Sequence, residues 1–189
     1  MDKKIIVITA PSGSGKTTLV RHLLRHAPEL AFSVSACTRN PRDGELHGRD
    51  YYFLKEEDFK KKIEEHAFLE WEMVYTGKYY GTLHAELDRI WGNGQYPLVD
   101  IDVQGALSIK HKFPDRSLTL FIKAPSMEVL RQRLQARGSE TPATLEERLG
   151  KAAYELTFAP RFDRIIINDD LDAALKETTD VIHAFLNKS

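Results

Sequence analysis

Residues 5 to 18 read Ile5-Ile6-Val7-Ile8-Thr9-Ala10-Pro11-Ser12-Gly13-Ser14-Gly15-Lys16-Thr17-Thr18. The apolar run Ile5 to Ile8 predicts a buried strand, the glycine-rich stretch a loop, and the pattern from Thr17 a helix. Strand, loop and helix in that order are the setting of a phosphate-binding loop. Gly13 and Gly15 let the backbone turn its N–H groups inward around phosphate oxygens. Lys16 adds a point charge for the β- and γ-phosphates, and Thr17 offers a hydroxyl to Mg²⁺. The first glycine of the usual G-x-x-x-x-G-K-[ST] pattern is replaced by Ala10, which the loop tolerates if that position is extended.

Outward from this stretch, the chain of 189 residues fits one domain with a substantial core. Lys and Arg number 27 against 28 Asp and Glu, so no global basic field suggests nucleic acid as a partner. The single cysteine, Cys37, excludes an intrachain disulfide and suits a reducing, cytoplasmic setting. No stretch has the length of a membrane span, and the first apolar run ends in the loop as a strand, not a signal peptide.

Leu19, Val20, Leu23, Leu24 and Ala27 give the first helix an apolar stripe that Pro28 closes. His22 and His26 are four apart on it. They suit a metal clasp in principle, but no third ligand is evident and a solvated surface is the better reading. Phe32 to Ser35 predicts a short strand. The polar stretch from Cys37 to Glu45 carries Arg39 and Arg42 and precedes Tyr51-Tyr52-Phe53; arginine forks and a tyrosine hydroxyl suit a phosphate. Lys55 to His66 predicts a charged helix, Phe68 to Val74 a strand, Tyr75 to Thr82 a tyrosine-rich turn and Leu83 to Gly92 a helix. Tyr96 to Ile101 predicts a buried strand whose alternation would put Asp100 and Asp102 on one face. Leu118 to Ile122 and Ile165 to Ile167 complete the strands. Ser126 predicts a helix cap, and Thr144 with Glu147 a capping box. Leu171 to Phe185 predicts a last amphipathic helix.

The loop together with Ser35-x-x-Thr38-Arg39-x-x-Arg42-x-Gly44-Glu45, Asp50-Tyr51, Phe68-Leu69-Glu70-Trp71 and Tyr80-Gly81-Thr82 resembles the guanylate kinase family. So do Asp100-Ile101-Asp102-Val103-Gln104-Gly105, Arg133-Leu134-x-x-Arg137-Gly138, Arg148-Leu149 and Asn168-Asp169-Asp170-Leu171. The resemblance implies an α/β three-layer sandwich of the P-loop nucleoside triphosphate hydrolase kind. Its central sheet would be mostly parallel, with a small GMP-binding lobe and a helical lid. Within the single domain 1–189 the core would be 1–34, 83–136 and 159–189, the lobe 35–82 and the lid 137–158.

By the same resemblance, Ala10, Pro11, Ser12, Gly13, Ser14, Gly15, Lys16, Thr17, Thr18 and Asn168 would bind ATP, with Asn168 near the adenine. Arg39, Arg42, Tyr51 and Tyr80 would bind the GMP phosphate, with Glu45 as their acidic neighbour. Ser35, Glu70, Thr82 and Asp102 would face the guanine. Lys16, Arg39, Arg42, Arg137 and Arg148 would be the catalytic cations, and Thr17 with Asp100 would hold Mg²⁺. Glu70 has a physical rationale: guanine offers two donors on one edge, and a carboxylate offers two matching acceptors. Without the surrounding match, Glu70 would read as a solvent-facing residue on an edge strand. The implied reaction is Mg-dependent, reversible phosphoryl transfer from ATP to GMP, and to dGMP, with no obligatory protein partner. Two other readings stand beside it. One is a non-catalytic module that binds partner proteins, against which the intact Lys16 and Thr17 argue. The other is a kinase of a sugar phosphate, which would have no base for Ser35, Glu70, Thr82 and Asp102 to read.

Overall fold

The computed structural model describes residues 3–136 and 141–188, apart from the side chain of Tyr75. Its centre is a five-stranded sheet in which all pairings are parallel. The strands are β1 (Ile5–Thr9), β2 (Leu30–Phe32), β7 (Tyr96–Asp100), β8 (Ser117–Lys123) and β9 (Arg164–Ile167), in the spatial order β2-β7-β1-β8-β9. Both faces of β1 are buried, which is why its sequence is a continuous apolar run. Ile6 and Ile8 pack against α1 (Lys16–His26) and α7 (Leu171–Leu186) through Leu19, Leu23, Leu175 and Ile182. Ile5 and Val7 face the other way, against α3 (His84–Gly92) and α4 (Val103–Lys112) through Leu87, Val103, Ala106 and Ile109.

A second sheet has the order β4-β3-β6-β5, from β3 (Ala36–Cys37), β4 (Tyr52–Phe53), β5 (Phe68–Tyr75) and β6 (Lys78–Leu83). Helix α2 (Glu56–Glu64) packs on it through Phe59, whose ring stacks on Phe68 at 4.3 Å. This sheet is tied to the core by Glu86 of α3, which is 2 % exposed. Its carboxylate accepts from the Val34 N–H at 3.0 Å and the Tyr52 hydroxyl at 2.9 Å, and pairs with Arg89 at 2.6 Å. Burial pushes this carboxyl up, but Arg89, the Val34 N–H and the Tyr52 hydroxyl outweigh it and hold it below the usual glutamate range. Helices α5 (Met127–Gln135) and α6 (Pro142–Leu156) pack together through Leu130, Leu134, Leu145 and Leu149.

Several local expectations are corrected. The second strand is Leu30–Phe32, pairing with Tyr96–Leu98, so Ser33 to Ser35 lie beyond it. Most of Tyr75 to Thr82 is strand, since β6 pairs antiparallel with β5 and leaves the turn to Thr76 and Gly77. The strand β7 stops at Asp100, so Asp102 shares no strand face with it; Asp102 caps α4, accepting from the Gly105 N–H at 2.8 Å. The capping box of α6 is Thr141 with Thr144, and Pro142 takes the first turn as expected. Ser126 caps α5 through the Val129 N–H.

Candidate active site

The parallel strands deliver two clefts to their carboxyl ends. The first is built by the loop after β1. Gly13 and Gly15 have φ of 89° and 91°, a region open to glycine. Among the described residues the only non-glycine with positive φ is His66, so Ala10 sits in an ordinary conformation and its side chain costs the loop nothing. Helix α1 begins at Lys16 and points its N-terminus at this loop. The cleft encloses about 340 Å³ between Ala10, Pro11, Ser12, Gly13, Gly15, Lys16 and Thr17 on one side and Arg148, Lys151 and Glu155 of α6 on the other. Arg148 reaches across it to Ser12 Oγ at 3.0 Å. Ser14 is buried, and Thr18 belongs to the first turn of α1. The buried Asn168, just after β9, donates from its carboxamide to the Ser14 carbonyl at 2.8 Å and so buttresses the loop from behind.

The second cleft, of about 400 Å³, lies between the loop and the small sheet. Lys16, Thr17, Asp100 and Asp102 form its floor, and Ser35, Asp50, Tyr51 and Tyr80 its wall. Lys16 pairs with Asp100. Arg39 is held by Glu45 through two hydrogen bonds, at 2.5 and 2.7 Å, and lies over the rings of Tyr51 and Phe53 at 4.8 and 5.5 Å. The Arg39 guanidinium and then the Arg42 N–H hold the Glu45 carboxyl at about 2. The Arg42 side chain is exposed. Burial pushes the Tyr51 hydroxyl up, so it stays a neutral donor.

Glu70 lines neither cleft but a separate cavity of about 510 Å³, with Phe68, Trp71, His84 and Lys112. It is 7 % exposed, and Thr82 donates to it at 2.6 Å. Alternation on β5 puts Glu72 on the same face. Burial pushes the Glu70 carboxyl up to about 7, with the charge of Asp102 adding to it against the Thr82 hydrogen bond. Glu72 also rises to about 7, first because it shares a hydrogen bond with Asp102 and then through burial. Glu70, Glu72 and Asp102 thus form an acidic cluster where the small sheet meets α4.

The clefts gather every described residue of the expected phosphate loop except the buried Ser14 and the helical Thr18, together with Ser35, Tyr51, Tyr80, Asp100, Asp102 and Arg148. Arg137 lies outside the described residues. His22 and His26 stack on each other on the exposed side of α1. Sequence reading missed Glu72, Glu86, Lys151 and Glu155. Lys151 had a signal: it lies three residues after Arg148, on the same side of a helix. Among the described residues no helix is long and apolar enough to cross a membrane.

A family model described as guanylate kinase matches residues 2–185. The guanylate kinase of Bacteroides thetaiotaomicron is 49% identical over 188 residues, covering 100% of this chain and 92% of that protein. That of Chlorobium chlorochromatii is 48% identical over 183 residues, covering 97% of this chain and 96% of that protein. Among solved structures, guanylate kinase from Anaplasma phagocytophilum superposes with a TM-score of 0.76 at 28% identity, covering 98% of this chain and 87% of the other.

Proposed function

The chain belongs to the guanylate kinase family, and from that premise we propose that its first cleft takes ATP, its second takes GMP, and phosphoryl transfer occurs where they meet. The observation that carries this reading is that Lys16 and Thr17 border both clefts, so donor and acceptor phosphates would converge on one lysine.

In the reaction an oxygen of the GMP phosphate bonds to the γ-phosphorus of ATP, while the bond from that phosphorus to the bridging oxygen breaks. ADP and GDP result. The acceptor oxygen is already ionised near neutral pH, since a phosphate monoester's second pKa is about 6, so no general base is required. The chain's task is alignment and charge neutralisation. Arg39, oriented by Glu45, grips the acceptor phosphate with Arg42, Tyr51 and Tyr80. Lys16, Arg148 and Arg137 neutralise the donor phosphates. Glu70 accepts from guanine N1–H and N2–H with Ser35, Thr82 and Asp102 around it, and adenine, an acceptor at N1, leaves it unpaired. Helix α6 folds over the donor phosphates and keeps out water, a competing acceptor.

Thr17 and Asp100 bring hard oxygen donors to the floor shared with the phosphate loop, the donor set of a Mg²⁺ held by one carboxylate, substrate phosphates and water. Bound there, Mg²⁺ would supply charge neutralisation on the donor phosphates. The lone buried cysteine and the absence of a membrane-spanning helix among the described residues support work in the cytoplasm. The test is ADP release from Mg-ATP with GMP, dGMP, AMP, CMP, UMP or ribose 1-phosphate as acceptor. Strong preference for the guanine nucleotides is expected; equal use of AMP, or none of GMP, overturns the assignment.

A further inference from the structure

Four residues border both clefts: Lys16, Thr17, Asp102 and Lys151. The first two come from the phosphate loop and the third caps α4. Lys151 alone comes from α6, whose Arg148 and Glu155 border the first cleft only. Lys151 lies three positions after Arg148 and four before Glu155, so these side chains follow one face of the helix. Arg148 anchors that face to Ser12 at one end. Lys151 is the cation where it passes over the seam between the clefts.

Its surroundings leave its charge weakly committed. The Lys151 side chain is 61% exposed, and its ion pair with Glu155 is long, at 3.8 Å. Glu72 from β5 and Glu155 from its own helix share its field, and Asp102 from the start of α4 borders both clefts with it. The nearness of Asp102, and then burial, push the Glu72 carboxyl up to about 7, so Glu72 makes a weak claim on the lysine. A triphosphate and a monophosphate entering the clefts would bring more negative charge than this set. A lysine ammonium, compact, with three rotatable donors on a flexible stem, suits an oxygen cluster whose position changes as a phosphoryl group moves.

We propose that Lys151 is a further catalytic residue: its ammonium leaves the acids at the seam and binds the equatorial oxygens of the phosphoryl group in transit between the clefts. This rests on the reading of the clefts as donor and acceptor sites. As the acceptor oxygen bonds to the γ-phosphorus and the bond to the β-bridging oxygen breaks, that electron pair stays on ADP. Lys151 neutralises charge spread over the moving oxygens and transfers no proton.

The test compares Lys151→Met and Lys151→Arg with the wild type. It measures kcat, the KM of each nucleotide, and the affinity for ATP, for GMP and for adenosine and guanosine joined through five phosphates, a ligand that spans both clefts. Removing one such stabilising charge is expected to lower kcat by about tenfold or more. Each KM should stay within about threefold, and the five-phosphate ligand should lose affinity by about the factor lost in kcat. Lys151→Arg should recover most of both losses. The inference is overturned if Lys151→Met keeps kcat within about twofold of wild type, or if weaker ATP binding alone accounts for the whole loss. Failure of the wild type to release ADP in response to GMP would instead overturn the assignment of the clefts.

Discussion

Thr82 on β6 donates its hydroxyl proton to the carboxylate of Glu70 on β5 at 2.6 Å, across a strand pair in which the two residues stand directly opposite. The bond orients Glu70 and uses one of its acceptor sites, and burial keeps the carboxyl up at about 7. Under the proposed role of Glu70 as the acceptor for guanine, the ionised form it needs is lost as the pH falls through about 7.

The KM for GMP should rise by about tenfold per unit as the pH falls below about 7, while the KM for ATP stays flat. Glu70→Gln should remove Glu70's part of that slope and weaken GMP use by about 1–3 kcal/mol. What survives in the variant belongs to Glu72, whose carboxyl is also raised to about 7, and to the GMP phosphate. Stability runs the opposite way. The folded Glu70 carboxyl binds its proton more tightly than the unfolded one, so its contribution falls as the pH rises from the ordinary glutamate value to about 7. Wild-type unfolding by urea at pH 5.5 and pH 8, against Glu70→Gln, reads that difference; an identical pH dependence in both counts against the shift.

Gly105 gives the Glu70 carboxylate its seat. A Cβ on Gly105 would stand 2.8 Å from Glu70 Oε2, and the acid cannot swing away while Thr82 and burial hold it. Gly105→Ala should raise the KM for GMP by about tenfold, since a small misplacement of a reading group is costly, with ATP affinity unchanged. Glu70→Asp in the same chain shortens the acid and should recover part of the loss. Equal damage to both nucleotides would make Gly105 a general packing position.

Gly15 meets two demands together. Its φ of 91° disfavours any side chain, and a Cβ there would overlap the Asn168 carboxamide that supports Ser14. Gly15→Ala should destabilise the fold by about 2 kcal/mol or more and abolish ATP binding. Adding Asn168→Ala removes the overlap and leaves the backbone strain, so calorimetry should find stability partly restored and ATP binding still lost.

Glu86→Ala should leave the Val34 N–H, the Tyr52 hydroxyl and Arg89 without their shared acceptor, at a cost of about 2–4 kcal/mol in urea unfolding. Glu86→Gln keeps the shape and part of the bonding and should cost less. A loss within about 0.5 kcal/mol for the alanine variant would count against Glu86 as the tie between small sheet and core.

The loop between β1 and α1 was legible because its signals are local: two glycines take the positive φ of the turn, and the flanking apolar run marks its own strand. The parallel core was legible from β1 and β8 for the same reason. The strand Leu30–Phe32 was misplaced toward Ser35 because a three-residue strand carries no periodicity, and pairing with Tyr96–Leu98 decides it. Asp102 was set on a strand face because alternation cannot announce where a strand stops; the Gly105 N–H decides that. Glu72 is an ordinary charge in sequence, and Lys151 carries only its helical spacing from Arg148; their setting forms when β5, α4 and α6 converge. Glu86 reads as one more exposed helix acid until Val34 and Tyr52 come to meet it.

The strands β2 and β7 are neighbours in the central sheet, and the chain between them consists of the small sheet with α2, followed by α3. Stripped of the stretch from Ser33 to Leu83, what remains is an ordinary β-α-β crossover whose loop has been greatly enlarged. The cost of such an enlargement grows only slowly with length, and no core pairing passes through it. The part proposed to choose the acceptor is therefore an insertion between neighbouring strands, seated on the core through Leu69 and Glu86. Its recognition surface can diverge, or be exchanged by design, while the phosphate loop and the sheet that carries it keep their own hydrogen bonds.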